Sequence, residues 1–431
     1  MLRRVTVWLA VVLLPLAGCG GGAPRSAPAS ESASASESPS TTVSPAPTSP
    51  APRHAEGGRA DDIDGDGRAD LVVEVGDRRG DRRHLVAVHG SSRGLGKGER
   101  TVIPPDTFLS WQIDSGIRAD LDGDGFGDVL GYGRPGDRDE QMRPYVMWGD
   151  PRGLGAGRPP TPVALPAESD VATYRAVAGD FDGDGAADVA MSSPPGSGRT
   201  DTNLAVLYGP FGRDGSPSRR SVQPSPTGGE FWRMSVDRID GRRATGLIVY
   251  EGDDGEQTAG WLLDAGPGGL AKAGRRLNPG MSAAFGDFDG DGTRDVAVGD
   301  DGSRNNEPGY ETEEPSVDRT LTLYYGDGRT EAFKGTAGRA VAGDFDGDGR
   351  DDLAFGGSAG APARPVRMFW GGAGGLRAGG AVGGLGLAVP LTSGDYDGDG
   401  DDELALTAGE DGLEVVVTDG RKVLTRFGLS P

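Results

Sequence analysis

From about residue 60 onward the chain alternates short apolar runs with glycine-rich polar stretches. RAVAG (175–179), DVAMS (188–192), DVAVG (295–299) and DELAL (402–406) have the length and alternation of strands, with no 3.6-residue period. A second set of apolar runs each ends at a glycine: HLVAVHG (84–90), YVMWG (145–149), LAVLYG (204–209), LTLYYG (321–326) and VRMFWG (366–371). Several continue into turns built on GLG or GGL. Each unit therefore reads as strand, polar loop, strand, loop, strand, turn, strand.

The polar loop is nearly the same every time: DIDGDGRAD (62–70), DLDGDGFGD (120–128), DFDGDGAAD (180–188), DFDGDGTRD (287–295), DFDGDGRDD (344–352) and DYDGDGDDE (395–403). A degenerate copy, RIDGRRATG (238–246), fills the gap between the third and fourth good copies. The period of about 55 residues marks a repeat architecture. Seven units of four strands predict an all-β, seven-bladed β-propeller, a fold that leaves only short, protected sheet edges.

Carboxylates at positions 1, 3, 5 and 9 with glycine at 4 and 6 have the pattern of a loop wrapped around a hard cation. The glycines permit the tight turns, and the backbone carbonyl of position 7 adds a neutral oxygen. Four carboxylates in loose geometry favour Ca²⁺ over Mg²⁺, which holds a stricter octahedron and keeps its waters. Six good copies predict about six structural Ca²⁺. The fourth unit, with Arg238 and Arg242 in place of Asp and Gly246 at position 9, is expected to bind none, its guanidiniums supplying positive charge near Asp240. An isolated copy leaves a solvated acidic turn open as the lesser reading; the repetition argues against it.

Charge agrees with this reading. The net charge is −22. With Arg3 and Arg4 set aside as part of a leader, the acids other than those at positions 1, 3, 5 and 9 of the six loops equal the bases in number. The acidity thus belongs to the loops, and no basic patch points to nucleic acid. Gly is abundant at 77 residues and aromatics are 6%, as suits a glycine-rich β protein.

The N-terminus carries Arg3 and Arg4, then the apolar run VTVWLAVVLLPLAG up to Cys19. The run is too short to be a dependable span and reads as an export signal over residues 1–18. Leu16-Ala17-Gly18-Cys19 resembles the bacterial lipoprotein box, which implies acylation of Cys19 as the mature N-terminus. An ordinary secretory peptide, or a twin-arginine signal, stays open. Cys19 is the sole cysteine, so no disulfide forms within a monomer. Residues 19–59, rich in Ser, Pro and Ala, are expected to form a disordered tether with a reach on the order of 35 Å. Their Ser/Thr/Pro content also permits O-glycosylation.

The DxDGDGxxD loop between two strands, repeated over residues 60–431, resembles the FG-GAP/VCBS repeats of the integrin α-subunit propeller and its bacterial relatives. The resemblance implies Ca²⁺ ligation by loop positions 1, 3, 5, 7 and 9, with the loop joining the first two strands of a blade. The implied ligands are Asp62, Asp64, Asp66, Arg68 and Asp70; Asp120, Asp122, Asp124, Phe126 and Asp128; Asp180, Asp182, Asp184, Ala186 and Asp188. The remaining three sets are Asp287, Asp289, Asp291, Thr293 and Asp295; Asp344, Asp346, Asp348, Arg350 and Asp352; Asp395, Asp397, Asp399, Asp401 and Glu403. Position 7 serves through its carbonyl. The family's Phe-Gly and Gly-Ala-Pro landmarks are poorly kept: Phe285-Gly286 lies just before one loop, and Ser193-Pro194-Pro195 stands in the place of a Gly-Ala-Pro stretch.

The first loop follows the tether without an obvious strand before it, and residues 421–430 are expected to help close the ring. Among the three histidines, His54 lies in the tether, while His84 and His89 flank one strand. His89 occupies the place held elsewhere by Trp148, Tyr208, Tyr325 and Trp370, which read as inter-blade packing. Arg79-Gly80-Asp81 is a chance spelling in a charged loop. No constellation of nucleophile and base stands out, so no enzyme activity is expected. The expected protein is a monomer held to the outer face of a bacterial cytoplasmic membrane through its N-terminal lipid. There it serves as a binding or adhesion module for a protein or glycan. The connections 133–144, 192–203 and 300–319 are the candidate recognition loops. Alternatives are a propeller hydrolase or lyase acting on cell-wall or extracellular polysaccharide, and a purely structural envelope protein.

Overall fold

In the computed structural model, the described residues are 60–76, 83–98, 100–103, 117–133, 143–165, 176–193, 202–231, 233–241, 243–252, 256–305, 308, 312–357, 365–409 and 414–429. The chain divides into two units, Met1–Ser49 and Pro50–Pro431, and every described residue lies in the second. The leader, Cys19, His54 and Arg79-Gly80-Asp81 lie outside the described residues, as does Arg242. None of the described residues is helical, and no helix among them is long and apolar enough to cross a membrane.

Among the described residues, twenty-seven strands build seven antiparallel sheets, each a simple meander. Blade 1 holds β1 (Leu71–Gly76), β2 (Arg83–Val88) and β3 (Arg100–Ile103). Blade 2 holds β4 (Ile117–Ala119), β5 (Asp128–Gly133), β6 (Arg143–Met147) and β7 (Thr161–Pro162). Blade 3 follows with β8 (Ala176–Gly179), β9 (Asp188–Ser193), β10 (Asn203–Tyr208) and β11 (Arg219–Pro224). Blade 4 comprises β12 (Met234–Val236), β13 (Leu247–Tyr250), β14 (Ala259–Leu263) and β15 (Arg275–Pro279). In blade 5 these are β16 (Ser282–Gly286), β17 (Asp295–Gly299), β18 (Thr320–Tyr324) and β19 (Thr330–Lys334). Blade 6 has β20 (Gly338–Gly343), β21 (Asp352–Gly357), β22 (Arg367–Trp370) and β23 (Arg377–Ala381). Blade 7 ends the ring with β24 (Ala388–Gly394), β25 (Glu403–Ala408), β26 (Glu414–Thr418) and β27 (Val423–Gly428).

The seven-bladed propeller predicted from the repeat is the observed fold. Within a blade, polarity runs outward. Second strands such as β13, β17 and β21 are buried at every position, whereas β11 and β23 are mostly exposed. A strand covered on both faces reads as a continuous apolar run, which explains LIVY and DVAVG.

Seven apolar clusters fill the seven blade interfaces. Position 2 of each good loop sends its side chain into the interface with the following blade. Ile63, Leu121, Phe181, Phe288, Phe345 and Tyr396 are all at most 2% exposed. That burial is why the otherwise polar loop keeps one large apolar residue.

Blade 1 has three strands among the described residues, in line with the missing strand before its loop. The C-terminal stretch does not enter blade 1. β27 pairs with β26 and completes blade 7. Closure comes instead from face-to-face packing: Phe427 and Leu429 of blade 7 join Leu71, Val73 and Val86 of blade 1 in one cluster. Two backbone bonds seal it, Ala69 N–H to Asp395 C=O at 2.9 Å and Ser91 N–H to Tyr396 C=O at 3.0 Å.

Candidate metal centres

Each complete acidic loop with a described strand before it joins the first and second strands of its blade, as expected. The turn is built by its own carboxylates. In the first loop, Asp62 accepts the N–H groups of Gly65 (2.7 Å), Asp66 (3.1 Å) and Gly67 (2.8 Å). Gly65 and Gly67 have φ of +76° and +88°, a region open to glycine and strained for other residues. Position 5 then accepts the N–H of position 7 in all six loops, as with Ala186 to Asp184 at 2.8 Å and Thr293 to Asp291 at 2.7 Å.

Position 9 does more than the sequence suggests. Asp70, Asp128, Asp188, Asp295 and Asp352 are at most 1% exposed. One oxygen of each accepts the N–H of loop position 2, and the other accepts the N–H of the glycine that closes the third strand. For Asp188 these donors are Phe181 at 2.8 Å and Gly209 at 2.9 Å. For Asp295 they are Phe288 at 2.8 Å and Gly326 at 2.9 Å. Glu403 takes the Tyr396 N–H in the same way. This carboxylate is a latch between loop and sheet.

The loops are also chained together around the ring. Position 8 of one loop donates its N–H to the position 1 carbonyl of the preceding blade. Asp402 to Asp344 (2.8 Å), Thr245 to Asp180 (2.6 Å) and Ala69 to Asp395 are examples. Position 8 side chains accept in return: Asp351 takes the Asp287 N–H, Asp402 that of Asp344, and Thr245 that of Asp180.

The third-position carboxylate meets an arginine that the sequence analysis did not assign. Arg213 stacks over Trp148 and reaches Asp122 and Asp124. Arg219 does the same between Tyr208 and Asp182, Arg329 between Tyr325 and Asp289, and Arg421 between Trp370 and Asp346. The four aromatics do pack between blades, and they also serve as platforms for these guanidiniums. In the loops of blades 1 and 6, Arg68 and Arg350 pair with Asp66 and Asp348 at 2.9 Å.

Oxygen ligand atoms converge within 4.8 Å in Asp62-Asp64-Asp66, Asp120-Asp122-Asp128, Asp180-Asp182-Asp188 and Asp287-Asp289-Asp291. Burial raises their pKa values despite the backbone bonds: Asp62, Asp122 and Asp295 to about 6, Asp188 and Asp352 to about 7, Glu403 to about 8. Each loop still gathers more carboxyl groups than arginines. The donor set, all oxygen and mostly carboxylate, suits a hard divalent cation.

The fourth unit departs from expectation in one respect. Arg238 does not stay with Asp240. It reaches from blade 4 to Asp402 (2.9 Å) and Ser393 (2.9 Å) of blade 7. Both groups line a central cavity of about 1310 Å³. Asp240 instead has Arg243 at 3.8 Å, and Arg294 of the next loop pairs with Asp237 and lies beside Gly246, where other units carry the latch.

Three further features escape a reading by loop motif. Gly90-Ser91-Ser92-Arg93-Gly94 has the G-x-S-x-G spacing of a hydrolase turn. It forms a β-turn leaving the third strand, with Gly94 N–H bonded to Ser91 C=O at 2.7 Å and no helix after it. A second such spelling, at 356–360, has its Ser358 outside the described residues. Phe355-Gly356 and Gly360-Ala361-Pro362 spell both landmarks of the family named above; the first pair ends β21 and the second lies outside the described residues.

The antiparallel meander puts the acidic loops and the third-to-fourth-strand turns on one face, and the second-to-third-strand connections on the other. Most of 133–144 and 192–203 lies outside the described residues. The base of 300–319 is fixed by buried Asp300, which accepts Gln257 Nε2 (2.7 Å), Arg304 (2.8 Å) and the Arg319 N–H (2.7 Å).

Comparison with known proteins gives one sequence match to a family profile and several matches in fold. No curated protein sequence matches the chain. Among solved structures, the exotype rhamnogalacturonan lyase YesX is 14% identical over 82% of this chain and 72% of that one, with a TM-score of 0.40. A rhamnogalacturonan lyase of Bacillus licheniformis is 13% identical over 84% and 71%, with a TM-score of 0.41. A Synechocystis apocarotenoid oxygenase is 10% identical over 85% and 91%, also with a TM-score of 0.41. No function is taken from these likenesses. Residues 120–191 match the profile described as FG-GAP-like repeat, and this stretch contains the second and third acidic loops. The chain thus carries an FG-GAP-like repeat at residues 120–191, built into a seven-bladed β-propeller.

Proposed function

We propose that the chain is an exported, lipid-anchored, calcium-loaded propeller that binds a protein or glycan at the cell surface. The observation that carries this reading is the division between its two faces. On one, the acidic loops are hydrogen-bonded from blade to blade, which suits metal as a part of the frame. On the other, long connections such as 300–319 leave from fixed bases, which suits recognition. Asp62, Asp64, Asp66, Asp70 and the carbonyl of Arg68 would hold the first Ca²⁺, and the matching residues of the other five loops the rest. Bound Ca²⁺ would supply positive charge against the surplus of carboxylate. Three acids lining the central cavity, Asp237, Asp301 and Asp402, are each paired with an arginine, which favours binding over acid–base work by these three.

The test is a pull-down from native envelopes, comparing the chain with variants in which 134–142, 194–201 or 305–316 is replaced by a short Gly/Ser linker. At least one replacement is expected to lower retention of the partner tenfold or more while the melt stays put. Undiminished retention in all three, or release of new sugar ends from envelope polysaccharide, would overturn it in favour of the enzymatic alternative. Anchoring is checked separately. Cys19→Ala is expected to abolish fatty-acid labelling and membrane retention, and a variant that keeps both would refute the lipid anchor.

A further inference from the structure

The first loop differs from four of the other five in what stands over it. In four blades the residue before the third-strand glycine is a Trp or Tyr carrying a stacked arginine. In blade 1 that residue is His89, and its ring turns to the loop itself. Nδ1 lies 3.2 Å from Asp64 Oδ2 and 3.4 Å from Asp70 Oδ2. The imidazole is 12% exposed. Nδ1 is buried and makes no hydrogen bond, and Asp64 Oδ1 is likewise buried without one. The other ring nitrogen, Nε2, sits 3.1 Å from Thr101 Oγ1 on β3. With Nε2–H donating to that hydroxyl, Nδ1 presents a lone pair to two carboxylates. Ligand atoms of Asp64, Asp70 and His89 all fall within 4.8 Å of one another.

We infer that the first loop takes a divalent cation of the zinc class, with His89 Nδ1 as a nitrogen ligand beside Asp64 and Asp70. Three such groups facing one another at this separation call for positive charge among them, either a proton on Nδ1, which the Asp70 and Asp64 carboxylates favour, or a bound cation that displaces it. Imidazole nitrogen with carboxylate oxygen suits zinc-class ions, whereas Ca²⁺ takes oxygen. Asp64 also belongs to the all-oxygen group Asp62-Asp64-Asp66. The zinc-class ion therefore competes with Ca²⁺ for this loop. The inference rests on the first loop being a metal site and is independent of any surface partner.

The chain has three histidines, so ¹H–¹⁵N spectra of the tag-free, ¹⁵N-labelled chain resolve each ring. Zn²⁺ is titrated in excess Ca²⁺, with calorimetry alongside. The first equivalent of Zn²⁺ is expected to move the Nδ1 resonance of one imidazole, and that resonance is absent from His89→Phe. His89→Phe, which places an aromatic there as in other blades, is expected to melt like the wild type in Ca²⁺ and to bind the first Zn²⁺ at least about tenfold more weakly. Thr101→Val is expected to weaken Zn²⁺ by about tenfold while keeping the resonance in place. Should His89→Phe not fold, His89→Gln gives the same reading. A first equivalent that moves His54 or His84, or none, would overturn the inference. So would unchanged affinity in the His89 variant. Loss of Zn²⁺ binding with Ca²⁺ binding and partner retention intact would separate this site from the function proposed above.

Discussion

Asp188 shows how much one carboxylate can do here without any metal. Its two oxygens hold the Phe181 and Gly209 N–H groups, both out of reach of water. Asp188→Ala leaves two buried donors without acceptors, at about 1–3 kcal/mol for each. We therefore expect a loss of about 2–6 kcal/mol, measured by urea unfolding in chelator so that ligand loss does not contribute. Asp240→Ala in the exposed fourth loop is expected to stay within about 0.5 kcal/mol. Equal effects would contradict the latch. The motif spacing made Asp188 legible as a ligand, because its relation to Asp180, Asp182 and Asp184 is local. Its bond to Gly209 was not, since that glycine is 21 residues away. The arginines were less legible still: Arg213 meets Asp124 across 89 positions and Arg238 meets Asp402 across 164. Nothing in a charge pattern selects one arginine among many at such separations.

At the scale of the element, the strand is kept in place by the face it offers to the next blade. β27 makes the point at the ring's seam. Phe427 is buried in the blade 1–blade 7 cluster, while Leu424 on the same strand is 45% exposed. Phe427→Ala is expected to cost about 3 kcal/mol, and Leu424→Ala less than about 0.5 kcal/mol. Denaturant midpoints of the two variants check this, and similar values would mean that the seam is not packed as described. The strands, the seven units and the loop between the first two strands were readable from apolar runs and the repeat; six blades have the expected four strands, and blade 1 has three among the described residues. The seam was only half readable. Residues 421–430 were expected to help close the ring, but a sequence does not distinguish a strand added to blade 1 from a blade 7 strand that packs against it. The answer depends on which backbone β27 pairs with, and it pairs with β26.

For the whole ring, the pH response follows from burial. Desolvation lifts Asp62, Asp122 and Asp295 to about 6, Asp188 and Asp352 to about 7 and Glu403 to about 8, against about 4 in an unfolded chain. A raised carboxyl pKa means that the folded state holds more protons than the unfolded one between about pH 4 and 8. The contribution of these six groups to metal-free stability is then greatest below the ordinary carboxylate pKa and is lost as pH rises through 6–8. Chelated protein should melt higher at pH 5 than at pH 8. Protein in limiting Ca²⁺ should do the reverse, because protons compete with the ion for the same oxygens. Thermal melts in both buffers check it, and a chelated protein that melts higher at pH 8 would contradict the burial argument.

The central claim is that the repeated loops are calcium sites and that the fourth unit is not. Elemental analysis of the purified chain, equilibrated with Ca²⁺ as the only divalent cation and freed of excess, tests it most directly. The account predicts close to six Ca²⁺ per chain, unchanged in Asp240→Ala and reduced by one in Asp289→Ala. One or two ions per chain, or a count unaffected by Asp289→Ala, would contradict it.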